Sequence, residues 1–414
     1  MNRATRIGIL CVSVAIFCFA GIGHVLLGRA SDDKSYKSML VYGEVLQKIQ
    51  MDYVDEPDMH LVTAGSLRGL LESLDPESSY LTPREYTEYR QKLQNAGSGE
   101  TGITLSKRFG YVIVVTVLPE SPAEKAGIHS GDIFEAIAGF TTRDMSVGQA
   151  VNLLTGQPGT GVKVSVIRRG RAEPEDVDLV RQKLAPAKIV SQKSDPDVLV
   201  LRLPSLDPGR SDEVRGRLLE ADKLGIHKVI LDVRDCGRGP VSEAVSLARL
   251  FISSGTLATL RGQTVSTQVF AADPSKVVWK NAVSLLMDGT TSGAAEVLAS
   301  AFVANHRGDI VGERTFGLAS EQKLISLDDG SALILTVANY YNAGGKSILE
   351  EGVTPTEVVS AASAPDDSDT GDDDTAAAPA TKKEPLAGPR PLSPEDPVYR
   401  KALELLKTPA KKAT

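Results

Sequence analysis

The chain has 414 residues, 42% of them hydrophobic and 24% charged, which allows two or three globular domains and a polar tail. A net charge of -7, with no Lys/Arg-rich face interleaved with aromatics, excludes nucleic acid as a partner class. The three cysteines (Cys11, Cys18, Cys236) exclude a disulfide framework, and five histidines (His24, His60, His129, His227, His306) without ligand spacing lead us to expect no metal and no cofactor.

In chain order, Arg3 and Arg6 precede an uncharged run from Ile7 to Leu27. As a helix this run is about 30 Å long, enough to span a bilayer. The positive-inside bias then keeps the first residues in the cytoplasm and exports the rest. Residues 1–30 are read as an uncleaved signal anchor, with the body on the extracytoplasmic (periplasmic) side of the cytoplasmic membrane. A cleaved signal peptide is the rival, but Arg29 interrupts the small-residue pair Gly28 and Ala30. Cys11 and Cys18 lie inside the run, which leaves Cys236 alone in the exported part.

Residues 31–97 form a helical region. Leu40, Val45, Leu46 and Ile49, then Leu61, Leu67, Leu70 and Leu71, recur at helical spacing around the breaker Asp55-Glu56-Pro57. A turn over Ser73–Leu81 starts at Asp75-Pro76. Residues 98–184 hold short strands (Tyr111–Leu118, Ile133–Ile137, Val162–Arg168) around one amphipathic helix, Ser146–Leu154. Residues 185–360 alternate strands and helices. The strands are Val198–Leu203, Lys228–Val233, Ser284–Met287 and Asp309–Val311, and the helices are Asp212–Leu224, Val241–Phe251 and Ala294–Ala304. This order predicts an α/β layer domain with a largely parallel sheet. Residues 361–393, with Asp366, Asp367, Asp369, Asp372, Asp373 and Asp374 close together, read as a disordered acidic linker. Residues 394–414 carry a last helix, Val398–Lys407, with Leu403 and Leu406 on one face to dock on a partner or on the body.

The order Gly102-Ile103-Thr104-Leu105, Ser121-Pro122-Ala123, Ala126-Gly127-Ile128 and Ser130-Gly131-Asp132 resembles a PDZ domain of the bacterial permuted type. The resemblance implies strand addition of an extended peptide along Gly102, Ile103, Thr104 and Leu105, against the helix bearing Val147, Ala150, Val151 and Leu154. From Tyr36 to Val359 the segments follow the order of carboxyl-terminal processing peptidases, the tail-specific serine proteases with a Ser-Lys dyad. That family implies an α/β fold with a ClpP/crotonase-like peptidase core, an inserted PDZ domain, and polypeptide C-termini as partners.

The family's nucleophile motif resembles Asn-x-Gly-Ser-Ala-Ser-Ala-Ser-Glu. Here the stretch reads Asp288-Gly289-Thr290-Thr291-Ser292-Gly293-Ala294-Ala295-Glu296, so anchoring on Glu296 puts Gly293 at the nucleophile position. The motif with the general base, Thr-Phe-Gly-Lys-Gly-x-x-Gln, reads Thr315-Phe316-Gly317-Leu318-Ala319-Ser320-Glu321-Gln322. Leu318 takes the place of the Lys, 25 residues after Gly293 as in the family, and the accessory Gln322 is kept. Where the family has Asp-Leu-Arg-Asn-Asn-Pro-Gly-Gly near the oxyanion hole, this chain has Asp232-Val233-Arg234-Asp235-Cys236-Gly237-Arg238-Gly239. Arg238 replaces a glycine there, between Gly237 and Gly239, and is expected to restrict the turn or fill the site.

A hydrogen atom at 293 cannot attack and an isobutyl group at 318 cannot take a proton, so the resemblance implies a pseudo-peptidase that binds C-termini without hydrolysis. The alternative is an active serine endopeptidase rewired to Ser292. Adjacent residues at a helix start point about 100° apart, however, so Ser292 is expected to cap the helix instead. Cys236 lacks a nearby His or Lys, and in a strand Lys323 faces away from Gln322. A second copy of the chain, an active paralogue and the membrane remain as further partner classes.

Overall fold

A computed structural model describes residues 34–94, 98–168, 171, 173–195, 197–360, 392–393 and 395–407. The N-terminal run and all of the acidic linker except Leu392 and Ser393 lie outside the described residues. Among the described residues no helix is long and apolar enough to cross a membrane. The chain divides into two compact units, Met1–Ala64 and Gly65–Thr414. The first holds the helix Lys34–Asp52 and the start of the helix Met59–Glu72. Between the two helices, Asp58 Oδ1 accepts the N–H groups of His60 and Leu61 and caps the second one.

Among the described residues, the second unit contains three sheets. The central one runs Glu357–Val358, Asp309–Gly312, Ala282–Met287, Lys228–Asp232, Val198–Arg202 and Val190–Asp195, parallel except at the last pairing. Its inner strands carry continuous apolar runs, such as Val198–Leu201 and Val229–Leu231, because both faces are covered. Leu199, Leu201, Val229, Leu231, Val283 and Leu285 belong to the core formed with helices Arg210–Lys223, Val241–Arg249 and Ala294–Ala304. The alternate residues Val198, Val200, Ile230, Leu286 and Val311 pack with Val398, Tyr399, Ala402 and Leu406 of the last helix, Pro397–Lys407. That helix therefore docks on the body, and the described C-terminal segment begins at Leu392, which packs beside it.

The second sheet is antiparallel and was not anticipated. Ala332–Tyr341 pairs with Ser79–Leu81, Ser320–Ser326 and Thr256–Arg261, and Gln268–Ala271 pairs with the last of these. The segment read as a turn over Ser73–Leu81 thus ends in a strand. The turn itself is held by the Asp75 carboxylate, which accepts the N–H groups of Glu77 and Ser78, the Ser78 hydroxyl and the Thr336 hydroxyl.

The third sheet runs Ile103–Arg108, Tyr111–Val117, Ile133–Ile137, Gly161–Ile167 and Pro174–Val180, with Phe140–Thr141 on its rim. Ser146 caps the helix Val147–Leu154 through the Gln149 N–H. Pro174–Val180 escapes a hydrophobic-pattern reading because it is an acidic edge strand whose one buried side chain is Leu179.

Candidate active site and peptide groove

The strand Ala282–Met287 passes through the loop 288–292 into the helix Ala294–Ala304. The Asp288 carboxylate orders this loop by accepting the N–H groups of Thr290 and Thr291 and the hydroxyls of both. At the helix entry Gly293 adopts φ 60° and ψ -121°, a conformation costly for any residue with a Cβ. A sharp strand-to-helix turn of this kind is the arrangement that presents a nucleophile at a sheet's edge. A Cβ on Gly293 would meet nothing within 4 Å, so the space for a side chain is open.

Ser292 does not cap the helix. The N-cap is Gly293, whose N–H is accepted by the Glu296 carboxylate, while Ser292 Oγ is buried without a hydrogen-bond partner. The Ser292 side chain faces Gly237: a Cβ there would lie 2.6 Å from Ser292 Oγ and 2.6 Å from Thr116 Oγ1. Gly237 is glycine because these two side chains occupy the room a Cβ would need.

Glu296 also joins the two halves of the motif pair. Beyond the Gly293 N–H (2.9 Å), it accepts the Gly317 N–H (2.6 Å), the Leu318 N–H (2.7 Å) and the Thr315 hydroxyl (2.6 Å). Burial pushes its carboxyl above the usual range, and these donors oppose the shift. The relative placement of positions 293 and 318 is therefore fixed by one side chain. Gln322 stands in the antiparallel sheet opposite Thr336, just after a register shift, with its side chain exposed, and Lys323 beside it is exposed too.

Leu318 lines a cavity of about 240 Å³ with Pro76, Glu77, Ser106, Arg108, Phe316 and Glu350. The Arg108 guanidinium stacks 4.0 Å from the Phe316 ring, and Ser106 Oγ donates to Glu77 Oε1. Burial, reinforced by the Asp75 charge, pushes the Glu77 carboxyl up to about 7, with the Ser106 hydrogen bond opposing. The folded state then binds the Glu77 proton more tightly than the unfolded chain, so stability falls as pH rises from about 4.5 towards 7. Glu77→Gln is expected to flatten that slope, by on the order of 1–2 kcal/mol across the window once partial exposure is allowed for. Urea denaturation at stepped pH reads this directly, and an unchanged slope in the variant would refute it.

The turn 232–239 meets the PDZ sheet. Thr104 Oγ1 donates to the Gly237 carbonyl, and the Ser292 N–H donates to the Cys236 carbonyl. Arg238 does not fill the site. Its guanidinium is instead held by Glu100 (2.5 Å) and Asp207 (3.5 Å). The positive φ angles of the turn fall on Asp235 (56°) and Gly239 (126°), so an arginine at 238 carries no strain. A Cβ on Gly239 would lie 2.1 Å from the Leu206 carbonyl oxygen, which makes that glycine obligatory. The Cys236 thiol is fully buried and pushed up to about 12, although the Arg238 N–H hydrogen-bonds to its sulfur. A thiol so protonated is no nucleophile. Among the described residues no group of three or more His, Cys, Asp or Glu could hold a metal.

Of the residues predicted to hold a peptide, Gly102, Ile103, Leu105, Val151 and Leu154 line one groove of about 390 Å³. Gly102, at φ 84°, packs so closely on Ser121 that a Cβ would fall 2.3 Å from that residue's Cβ. Val147 and Ala150 do not line it and are buried in the PDZ core, which Leu105 and Leu154 also join. Thr104, between two inward residues of its strand, faces Gly237. The groove also has a wall that sequence reasoning missed, Tyr89, Lys92 and Leu93 of the helix Pro83–Gln94. Nothing in the helical spacing of that segment marks it as part of a binding site.

A profile of peptidase family S41 matches residues 197–359, and a PDZ domain profile matches residues 113–168. The chain is similar to the carboxy-terminal-processing protease of Bartonella bacilliformis, 28% identical over 336 residues covering 80% of this chain and 76% of that protein. It is equally similar to the carboxy-terminal processing protease CtpA of Bacillus subtilis, 28% identical over 346 residues covering 83% and 74%. Among solved structures, the photosystem II D1 C-terminal processing protease superposes with a TM-score of 0.64 at 24% identity, over 78% of this chain and 92% of that one, which shows the fold. A mixed α/β peptidase core with a PDZ domain and an N-terminal helical region is thus common to sequence and structure, and the chain carries a peptidase family S41 domain over residues 197–359 and a PDZ domain over residues 113–168.

Proposed function

We propose that this chain is a non-hydrolysing member of its family, which binds polypeptide C-termini in the PDZ groove on the extracytoplasmic side of the membrane. One observation carries the reading: Glu296 holds positions 293 and 318 in a fixed relation, yet they carry a glycine and a leucine, so neither a nucleophile nor a base stands there. The rewired alternative needs Ser292, whose Oγ is buried and faces Gly237 with no basic group hydrogen-bonded to it. The purified chain, incubated with peptides ending in apolar residues and followed by mass spectrometry, is expected to leave them intact. Turnover that disappears in Ser292→Ala would move the nucleophile to Ser292 and end this reading.

Placement outside the cytoplasm rests on Arg3 and Arg6 ahead of the apolar run Ile7–Leu27. Protease added to intact spheroplasts is expected to degrade the body. Its survival until lysis would reverse the orientation.

A further inference from the structure

The groove of the PDZ domain has one feature that strand addition does not require. Lys92 projects from the helix Pro83–Gln94 towards the C-terminal end of the helix Val147–Leu154 and donates to the Asn152 carbonyl. An ammonium has three donors, and among the described residues this is its one hydrogen bond. It makes no ion pair there: Glu88, a turn earlier on the same helix, is engaged by Arg84, and Glu100 on the groove wall is engaged by Arg238. Lys92 is also partly desolvated: burial lowers its pKa, the charge of Glu88 opposes that, and the nearby Arg181 adds a smaller lowering. A second observation points to a missing ligand. Asn152 lines the same groove, is 3% exposed, and buries its Oδ1 without a partner. A buried acceptor left unpaired costs about 1–3 kcal/mol, which a ligand N–H would offset.

We propose that Lys92 is a specificity-determining residue that pairs with the terminal carboxylate of a bound polypeptide, so that this helix forms a third, charged wall of the peptide groove. The loop at Gly102 and the C-terminal end of the helix Val147–Leu154 lie together, and Lys92 stands where both meet. The apolar lining of Ile103, Leu105, Leu154 and Leu93 then takes an apolar last side chain. Asn152 Oδ1 accepts an N–H from the peptide. A carboxylate is favoured over any neutral end group because it alone compensates a partly buried cation.

This inference rests on the proposed binding of C-termini, and the test separates the two. The full chain is titrated by fluorescence anisotropy with a labelled peptide ending in Ser-Leu-Val, once as the free acid and once as the amide. The wild type is expected to prefer the acid about tenfold, the size of a charge-assisted contact at a half-exposed site. Lys92→Met is expected to remove most of that preference while leaving the amide's affinity within about twofold. Lys92→Arg keeps the preference. Lys92→Gln, which retains a donor for the Asn152 carbonyl, loses it, so a folding defect in the Met variant does not decide the outcome. A preference unchanged in both Met and Gln variants, or an equal loss for acid and amide, overturns the role of Lys92 and leaves the binding reading intact. Absence of binding, or no discrimination by the wild type, overturns that reading and this inference with it.

Discussion

Gly293→Ser combined with Leu318→Lys is expected to lift peptide hydrolysis from background to a measurable rate, at least about a hundredfold above either single variant. The backbone is already shaped for it. Position 293 keeps the strand-to-helix turn at φ 60° and ψ -121°, the space beyond its Cα is open, and the helix behind it offers N-terminal N–H groups. Glu296 binds the N–H groups of 293 and 318 together, so a serine and a lysine would enter at a distance the fold sets. Each single change is inert for a chemical reason: a serine without a base is a weak nucleophile, and a lysine without a hydroxyl has nothing to deprotonate.

Two costs accompany the change. A serine at φ 60° carries backbone strain of about 1–3 kcal/mol, which glycine avoids. A lysine at 318 would also share the cavity lined by Glu77, and a carboxylate there would hold the amine protonated. Glu77→Gln added to the pair is therefore expected to raise the rate at neutral pH and shift the rate profile to lower pH. Arg238→Gly is not needed for turnover, since that side chain is held by Glu100 and Asp207. Single variants as active as the pair would show that the geometric argument is wrong.

Asp396→Ala is expected to destabilise the α/β domain by about 3–5 kcal/mol, because it leaves a buried cation short of a partner. Arg234, 3% exposed, is paired with Asp232 (2.9 Å) and with Asp396 (2.6 Å), and both charges hold its guanidinium pKa above the ordinary value against the pull of burial. Asp396 also caps the last helix by accepting the Val398 and Tyr399 N–H groups. One carboxylate thus anchors the helix that covers Val198, Val200, Ile230, Leu286 and Val311. Asp396→Asn, which keeps an acceptor for the cap and loses the charge, should fall between the two. A drop of roughly 10 °C in the thermal midpoint corresponds to the Ala effect for a domain of this size. A loss under about 1 kcal/mol would mean that Arg234 finds another partner.

Local pattern alone was enough for the elements whose energetics are local. Apart from Glu296, the helix Ala294–Ala304 is a run of small and apolar residues behind a glycine, and its bounds coincide with those read from the sequence. The strand Ile133–Ile137, set between Gly131-Asp132 and Ala138-Gly139, likewise keeps its predicted ends. The glycine at 293 and the leucine at 318, on which the proposed loss of hydrolysis rests, were also legible, because each sits in a short motif whose flanking residues, Glu296 and Thr315-Phe316-Gly317, remain.

Contacts between distant segments were decided only by the tertiary structure. The antiparallel sheet pairs Ser79 with Ile334, and no window of sequence contains both partners. The third wall of the groove comes from a helix of Glu, Arg, Lys and Tyr whose one informative feature, Lys92, acquires meaning only beside Asn152 and the loop at Gly102. Ser292 and Arg238 were misplaced for the same reason. A side chain's direction at a helix entry or in a turn depends on what packs opposite, here Gly237 with Thr116 for the serine and Glu100 with Asp207 for the arginine. Residue type and spacing marked the two positions on which the proposed loss of hydrolysis rests, whereas burial and long-range charge pairing determined where the polar groups around them point.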